Sequence, residues 1–136
     1  MSDNRAEDQA AIQAVLDASY KAWADGDADA MVADYTDDAT AIMTGSLRES
    51  RDMIRQNMAL AFAGPLRDTA THNRQLSLRF VGEDAAIAVS ESGILFAGQT
   101  EVPEAAKVNA TWVFEKRDGQ WLIAAYHNSP VVAPAP

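Results

Sequence analysis

At 136 residues the chain has room for one core, because a second would leave each half near the lower size limit for independent folding. With 48% apolar residues, 23% charged residues and no cysteine, the composition is that of a globular domain and excludes a disulfide scaffold, a zinc–cysteine site, an iron–sulfur cluster and a thiol nucleophile. Eleven Lys and Arg against 20 Asp and Glu leave a formal charge of −9, which repels phosphate backbones and anionic lipid and argues against nucleic acid or a membrane surface as partner.

The N-terminus, Met-Ser-Asp-Asn-Arg-Ala-Glu-Asp, is polar and acidic, lacks the pattern of an export signal, and points to a cytoplasmic protein. Asn4 and Glu7 stand at capping-box spacing. Ile12, Val15, Leu16, Tyr20 and Trp23 then form one apolar stripe of a helix that Asp25-Gly26-Asp27 ends. A short second helix is predicted through Met31, Val32 and Tyr35, stopped by Thr36-Asp37-Asp38, with a short strand at Thr40–Met43. Ser50 caps a third helix, with Asp52 in its first turn and Met53, Ile54, Met58 and Phe62 on one side, and Gly64-Pro65 breaks it. Beyond residue 70 the apolar period falls to two. Strands are predicted at Leu76–Phe80, Ala85–Phe96, Lys107–Arg117 and Gln120–Ser129, the last two joined by an Asp118-Gly119 hairpin turn.

Helices followed by an antiparallel meander give an α+β class in one domain, residues 1–130, with a Pro- and Ala-rich tail at 131–136. In the last strand Trp121, Ile123 and Ala125 point one way and Leu122, Ala124 and Tyr126 the other, so both sheet faces are apolar. Helices cover one face. A second copy of the chain is the simplest cover for the other, so a homodimer through the sheet is expected.

Trp23-Ala-Asp-Gly-Asp27, Tyr35-Thr-Asp-Asp-Ala39, Ser50-Arg-Asp-Met-Ile54, Arg117-Asp-Gly-Gln-Trp-Leu-Ile123 and Tyr126-His-Asn-Ser129 occur in this order. The set resembles the NTF2-like superfamily, in its SnoaL-like and DUF4440 branch, and the ending Ile-Ala-Ala-Tyr-His-Asn-Ser resembles the SgcJ/EcaC group, some of whose members are encoded with enediyne polyketide pathways. The resemblance implies an NTF2-like cone: a curved antiparallel sheet packed on three N-terminal helices, a pocket within the cone, and frequent dimerisation. The C-terminal motif is also similar to the association domain of calcium/calmodulin-dependent kinases. Three arginines point into the pocket of that family, and the matching positions here are Glu91, Trp112 and Asn128. An arginine-lined site of that kind is therefore absent, while the direction of those positions carries over. Glu91, Trp112 and Asn128 are expected to face inward, and alternation adds Val89, Ala110, Phe114, Ala124 and Tyr126.

Glu91 is the expected proton carrier, because a carboxylate desolvated in an apolar cone titrates nearer neutrality. The alternative is a rim carboxylate paired with Arg74 or Arg79. Asn128 and Tyr126 complete the expected catalytic set as donors to a ligand carbonyl or hydroxyl. Tyr20, Trp23, Tyr35, Trp112, Phe114 and His127 are the expected substrate-binding residues, although alternation puts His127 opposite Asn128. Two histidines 55 positions apart give no metal motif, the serines have no His–Asp company, and no glycine-rich nucleotide loop is present, so neither metal nor cofactor is expected. The combined expectation is a hydrophobic small-molecule partner, polyketide-like by resemblance, acted on by cofactor-free isomerisation, dehydration or cyclisation. The alternative is a non-catalytic module that binds a ligand or stabilises a partner.

Overall fold

The computed structural model describes residues 2–132, with side chains from residue 5 onward. Helix α1 spans Ser2–Ala24, so the chain is already helical at Asn4; the side chain in the proposed capping box, like residues 133–136 of the tail, lies outside the described residues. Ile12 and Leu16 of its predicted stripe are buried in the core, with Val15, Tyr20 and Trp23 packed beside them. Gly26, at φ 67°, turns the chain, and Asp27 caps α2 (Ala28–Met31) by accepting a 3.0 Å hydrogen bond from the Ala30 N–H. Strand β1 (Tyr35–Met43) follows, then β2 (Ser46–Arg48). Ser50 Oγ accepts from the Met53 N–H at 3.1 Å and starts α3 (Arg51–Phe62). The remaining strands are β3 (Ala70–Phe80), β4 (Ala85–Leu95), β5 (Val108–Arg117) and β6 (Gln120–Pro130).

The strands form one curved sheet in the order β2-β1-β6-β5-β4-β3. All neighbours are antiparallel except β1 and β6, which run parallel, so the sheet is not the purely antiparallel one expected. Two features of the first half also differ from expectation. Tyr35 opens a nine-residue strand rather than closing a helix, and Thr36-Asp37-Asp38 continues that strand instead of stopping anything. Polar residues are tolerated there because the exposed carboxylates pair outward, Asp37 with Arg51 at 2.6 Å and Asp38 with Arg117 at 3.4 Å.

Register breaks bend the sheet and decide which side chains it turns inward. The β3–β4 pairing skips Leu76, and the β5–β6 pairing skips Ala124. An extra residue in one strand reverses the alternation beyond it and sharpens the local twist. In β6, Trp121 and Ile123 are therefore buried on the same side as Tyr126 and Asn128, not opposite them. In β3, Thr71 and Asn73 share a side with Leu78, while the bulged Leu76 is exposed. Helix α1 is fixed to the sheet at Asp8, whose carboxylate accepts from the Trp121 indole at 2.9 Å and from Lys116 at 3.3 Å. Arg5 approaches the same carboxylate and lies over the Phe80 ring.

Candidate functional site

Between the helices and the inner sheet face lies a cavity of about 340 Å³. That is at the small end of the volumes that hold small molecules. Its apolar wall comes from Met31, Met43, Ile54, Met58 and Leu66, and its aromatic wall from Tyr20, Trp23, Tyr35, Trp112 and Tyr126. Trp112 stands 4.4 Å from Tyr126 and 6.1 Å from Tyr20, centroid to centroid, so three rings from three elements meet at one end. Trp23 packs edge-on against Phe62 at 5.5 Å, and its indole donates to Thr69 Oγ1 at 2.9 Å.

Of the expected site residues, Tyr20, Trp23, Tyr35, Trp112, Tyr126 and Asn128 line the cavity. Glu91 does not. In the β4–β5 ladder, Trp112 stands opposite Ala88 and Glu91 opposite Asn109. Partners share a face, so even-numbered residues of both strands look inward and Glu91 looks outward. Its carboxylate lies 3.5 Å from Arg74 and 3.7 Å from Lys107. The rim ion pair is therefore what the structure contains, and Ser92 occupies the wall position. Val89 goes outward with Glu91, and Ala124 is lost to the bulge. Phe114 faces inward but is fully buried in the core beneath the cavity rather than on its wall. His127 is exposed on the outer face, level with Thr111 and Ile42.

The sequence reading missed Arg48. Strand β2 turns back after Gly45 (φ 75°) and places Arg48 opposite Ala41. One row then crosses the inner face: Arg48, Ala41, Tyr126, Trp112, Ala88. Ala41 is small, and Arg48 and Tyr126 flank it on strands about 10 Å apart. The signal was the Thr44-Gly45 pair between apolar runs, which marks a tight hairpin and hence a short return strand.

Burial raises the pKa of Tyr20, Tyr35 and Tyr126, and their proximity adds to this: Tyr126 raises both Tyr20 and Tyr35. Asn128 Nδ2 donates to the Tyr126 oxygen at 2.8 Å, which works the other way and leaves the phenol proton free to donate. Burial also lowers the pKa of Arg48, partly offset by Tyr35 beside it. Among the described residues, no Asp, Glu or His lines the cavity. Among the described residues no three His, Asp or Glu side chains gather as a metal would require, and no helix is long and apolar enough to cross a membrane.

A curved sheet closed by helices around an apolar hollow is the NTF2-like, cystatin-like architecture, and solved structures agree. A domain of unknown function with a cystatin-like fold from Nostoc punctiforme superposes with a TM-score of 0.85 at 23% identity, covering 93% of this chain and 79% of that one. An NTF2-like protein from Novosphingobium aromaticivorans gives a TM-score of 0.80 at 18% identity, covering 95% of this chain and 85% of that one. A ketosteroid isomerase-like protein from Erwinia carotovora gives 0.71 at 21% identity, covering 91% and 96%. The family model described as the SnoaL-like domain matches residues 12–134, and the chain belongs to that family. No curated protein matches it.

Proposed function

We propose that this protein binds a flat, apolar small molecule in the cavity and holds it without chemical change. The observation that supports this reading is the wall itself, which offers aromatic faces and hydrogen-bond donors but neither carboxylate nor imidazole. Proton transfer at carbon needs a base within hydrogen-bond reach, and the titratable acids among the described residues of this wall are phenols whose raised pKa values keep them protonated. Tyr20, Trp23, Tyr35 and Trp112 would contact the ligand, and Tyr126, aligned by Asn128, would donate to a carbonyl or hydroxyl on it.

A second reading keeps the isomerisation, dehydration or cyclisation of a polyketide-like intermediate. The Tyr126–Asn128 donor pair favours it, since such a pair stabilises a developing oxyanion, as does the likeness to a ketosteroid isomerase-like protein. The enediyne-pathway and SgcJ/EcaC assignment rests on motif resemblance alone. Fluorescence separates the readings. In a Trp121→Phe background, emission from Trp23 and Trp112 should be quenched saturably by 2-acetylnaphthalene, and the compound should be recovered unchanged. Quenching that never saturates, or that persists when Ala41→Phe fills the cavity, contradicts the binding reading; conversion of the ligand favours the second.

We further propose a homodimer through the outer sheet face, where the register places Ile42, Ile87, Val89, Val113 and Ala125, none of them fully buried. Sedimentation velocity at micromolar concentration should show a dimer, and a monomer there removes the proposal.

A further inference from the structure

Eleven Lys and Arg side chains face 20 carboxylates in this sequence, so cations find partners easily. Among the described residues only Arg48 and Arg79 make no ion pair. Arg79 is exposed on the outer face, where water solvates it. Arg48 instead lines the cavity, half-buried, and among the described residues is the one charged side chain on that wall. Its Nε is buried with no hydrogen-bond partner, and its Nη1 donates only to the Met58 sulfur at 3.1 Å. A thioether is a weak acceptor for a guanidinium. A planar fork of donors is thus partly desolvated and left nearly unused, at a cost that an incoming anion relieves.

We propose that Arg48 holds the carboxylate of a lipophilic aromatic monocarboxylic acid, with the ring system lying against Trp112, Tyr126 and Tyr20. The proposal rests on the binding reading above and names the class of ligand. Guanidinium and carboxylate match in a bidentate pair, and Arg48 stands in the same cross-strand row as Tyr126 and Trp112, which puts the rings alongside a carboxylate held there. A second orphan donor, the buried indole N–H of Trp112, lies in the same row. One cation suits a monoanion. A phosphate dianion would need a second cation on the wall, and the rest of the wall is apolar or neutral. The lowered pKa of Arg48 agrees with a cation short of solvent and of counter-charge.

Calorimetric titration of the full chain with 2-naphthoate and with its neutral isostere 2-naphthamide tests this. Wild type should bind the acid at least tenfold more tightly than the amide. Arg48→Met should abolish that preference while keeping affinity for the amide, which also shows that the cavity is still formed. Arg48→Lys should keep part of the preference. Equal binding of acid and amide by wild type, or naphthoate affinity within twofold of wild type in Arg48→Met, overturns the assignment and leaves the binding reading standing. Failure of wild type to bind either compound overturns both. Should Arg48→Met not fold, the wild-type ratio of acid to amide and its change in Arg48→Lys still decide.

Discussion

Gly93 is a wall residue whose side is closed by the loop between β4 and β5, and Gly93→Ala should destabilise the protein through one contact. A Cβ at this position would stand 2.9 Å from Cγ2 and 3.1 Å from Cβ of Val102, with Cγ1 closer still. Val102 is buried, only 5% exposed, and a valine has no flexible end to swing aside. The loop itself must therefore shift. Overpacking of this kind costs about 1–3 kcal/mol. Replacing a strand glycine returns roughly 0.5–1 kcal/mol, because glycine loses more backbone entropy on folding. The net expectation is a loss of about 1–2 kcal/mol. With a urea slope of about 1–3 kcal/mol per molar for a small domain, the midpoint should fall by roughly 0.3–2 M. Val102→Ala removes the colliding methyl groups, so the double variant should be more stable than the two single effects summed. A midpoint for Gly93→Ala at or above wild type, or strict additivity in the double variant, would refute this packing of the β4–β5 loop on Gly93.

Glu91→Gln should leave the affinity for 2-naphthamide within twofold by calorimetry, because the carboxylate lies outside the cavity; a larger loss would reinstate it as a site residue. All three tyrosines, Tyr20, Tyr35 and Tyr126, have raised pKa values, so native protein should show no phenolate absorbance at about pH 10, where free phenols are half ionised. A raised folded value means the native state binds more protons, so stability should decline as pH rises past the unfolded phenol value and phenolate should appear together with unfolding. Asp8 has the opposite sign. The Trp121 indole, then Lys116 and Arg5, hold its pKa down against the effect of burial, so its contribution is complete above about pH 4–5 and is lost as pH falls through the lowered folded value. The stability gap between wild type and Asp8→Asn, read by urea denaturation, should narrow from pH 6 to pH 3. A constant gap would contradict the assignment.

Much of the architecture was legible because it rests on local chemistry. Ser50, Asp27 and Gly26 punctuate the helices as their capping and turn chemistry requires, and Asp118-Gly119 forms its hairpin with both residues at positive φ. The first strand was legible only in its second half, Thr40–Met43, because Tyr35 reads equally well as the last apolar position of a helix, and only the pairing with β6 decides for strand there. Site residues on either side of the β6 bulge show the limit of alternation. Asn128 and Tyr126 lie where alternation put them, but Ile123 and Trp121 reverse, since a bulge is set by how two strands meet and not by either sequence alone. Glu91 failed for a related reason. Its inward direction was borrowed from an alignment, and a register in which partners are of like parity forbids an odd residue of β4 from sharing a face with Trp112. Arg48 escaped notice because β2 has only three residues, too few for a period to show.

The central claim is that ligand enters the hollow behind the sheet and not the outer face. Amide chemical-shift mapping with 2-naphthamide tests it most directly. The account predicts that the largest shifts fall on Ala41, Ser92, Tyr126 and Asn128. Shifts centred on Ile42, Glu91, Thr111 and His127 would contradict it.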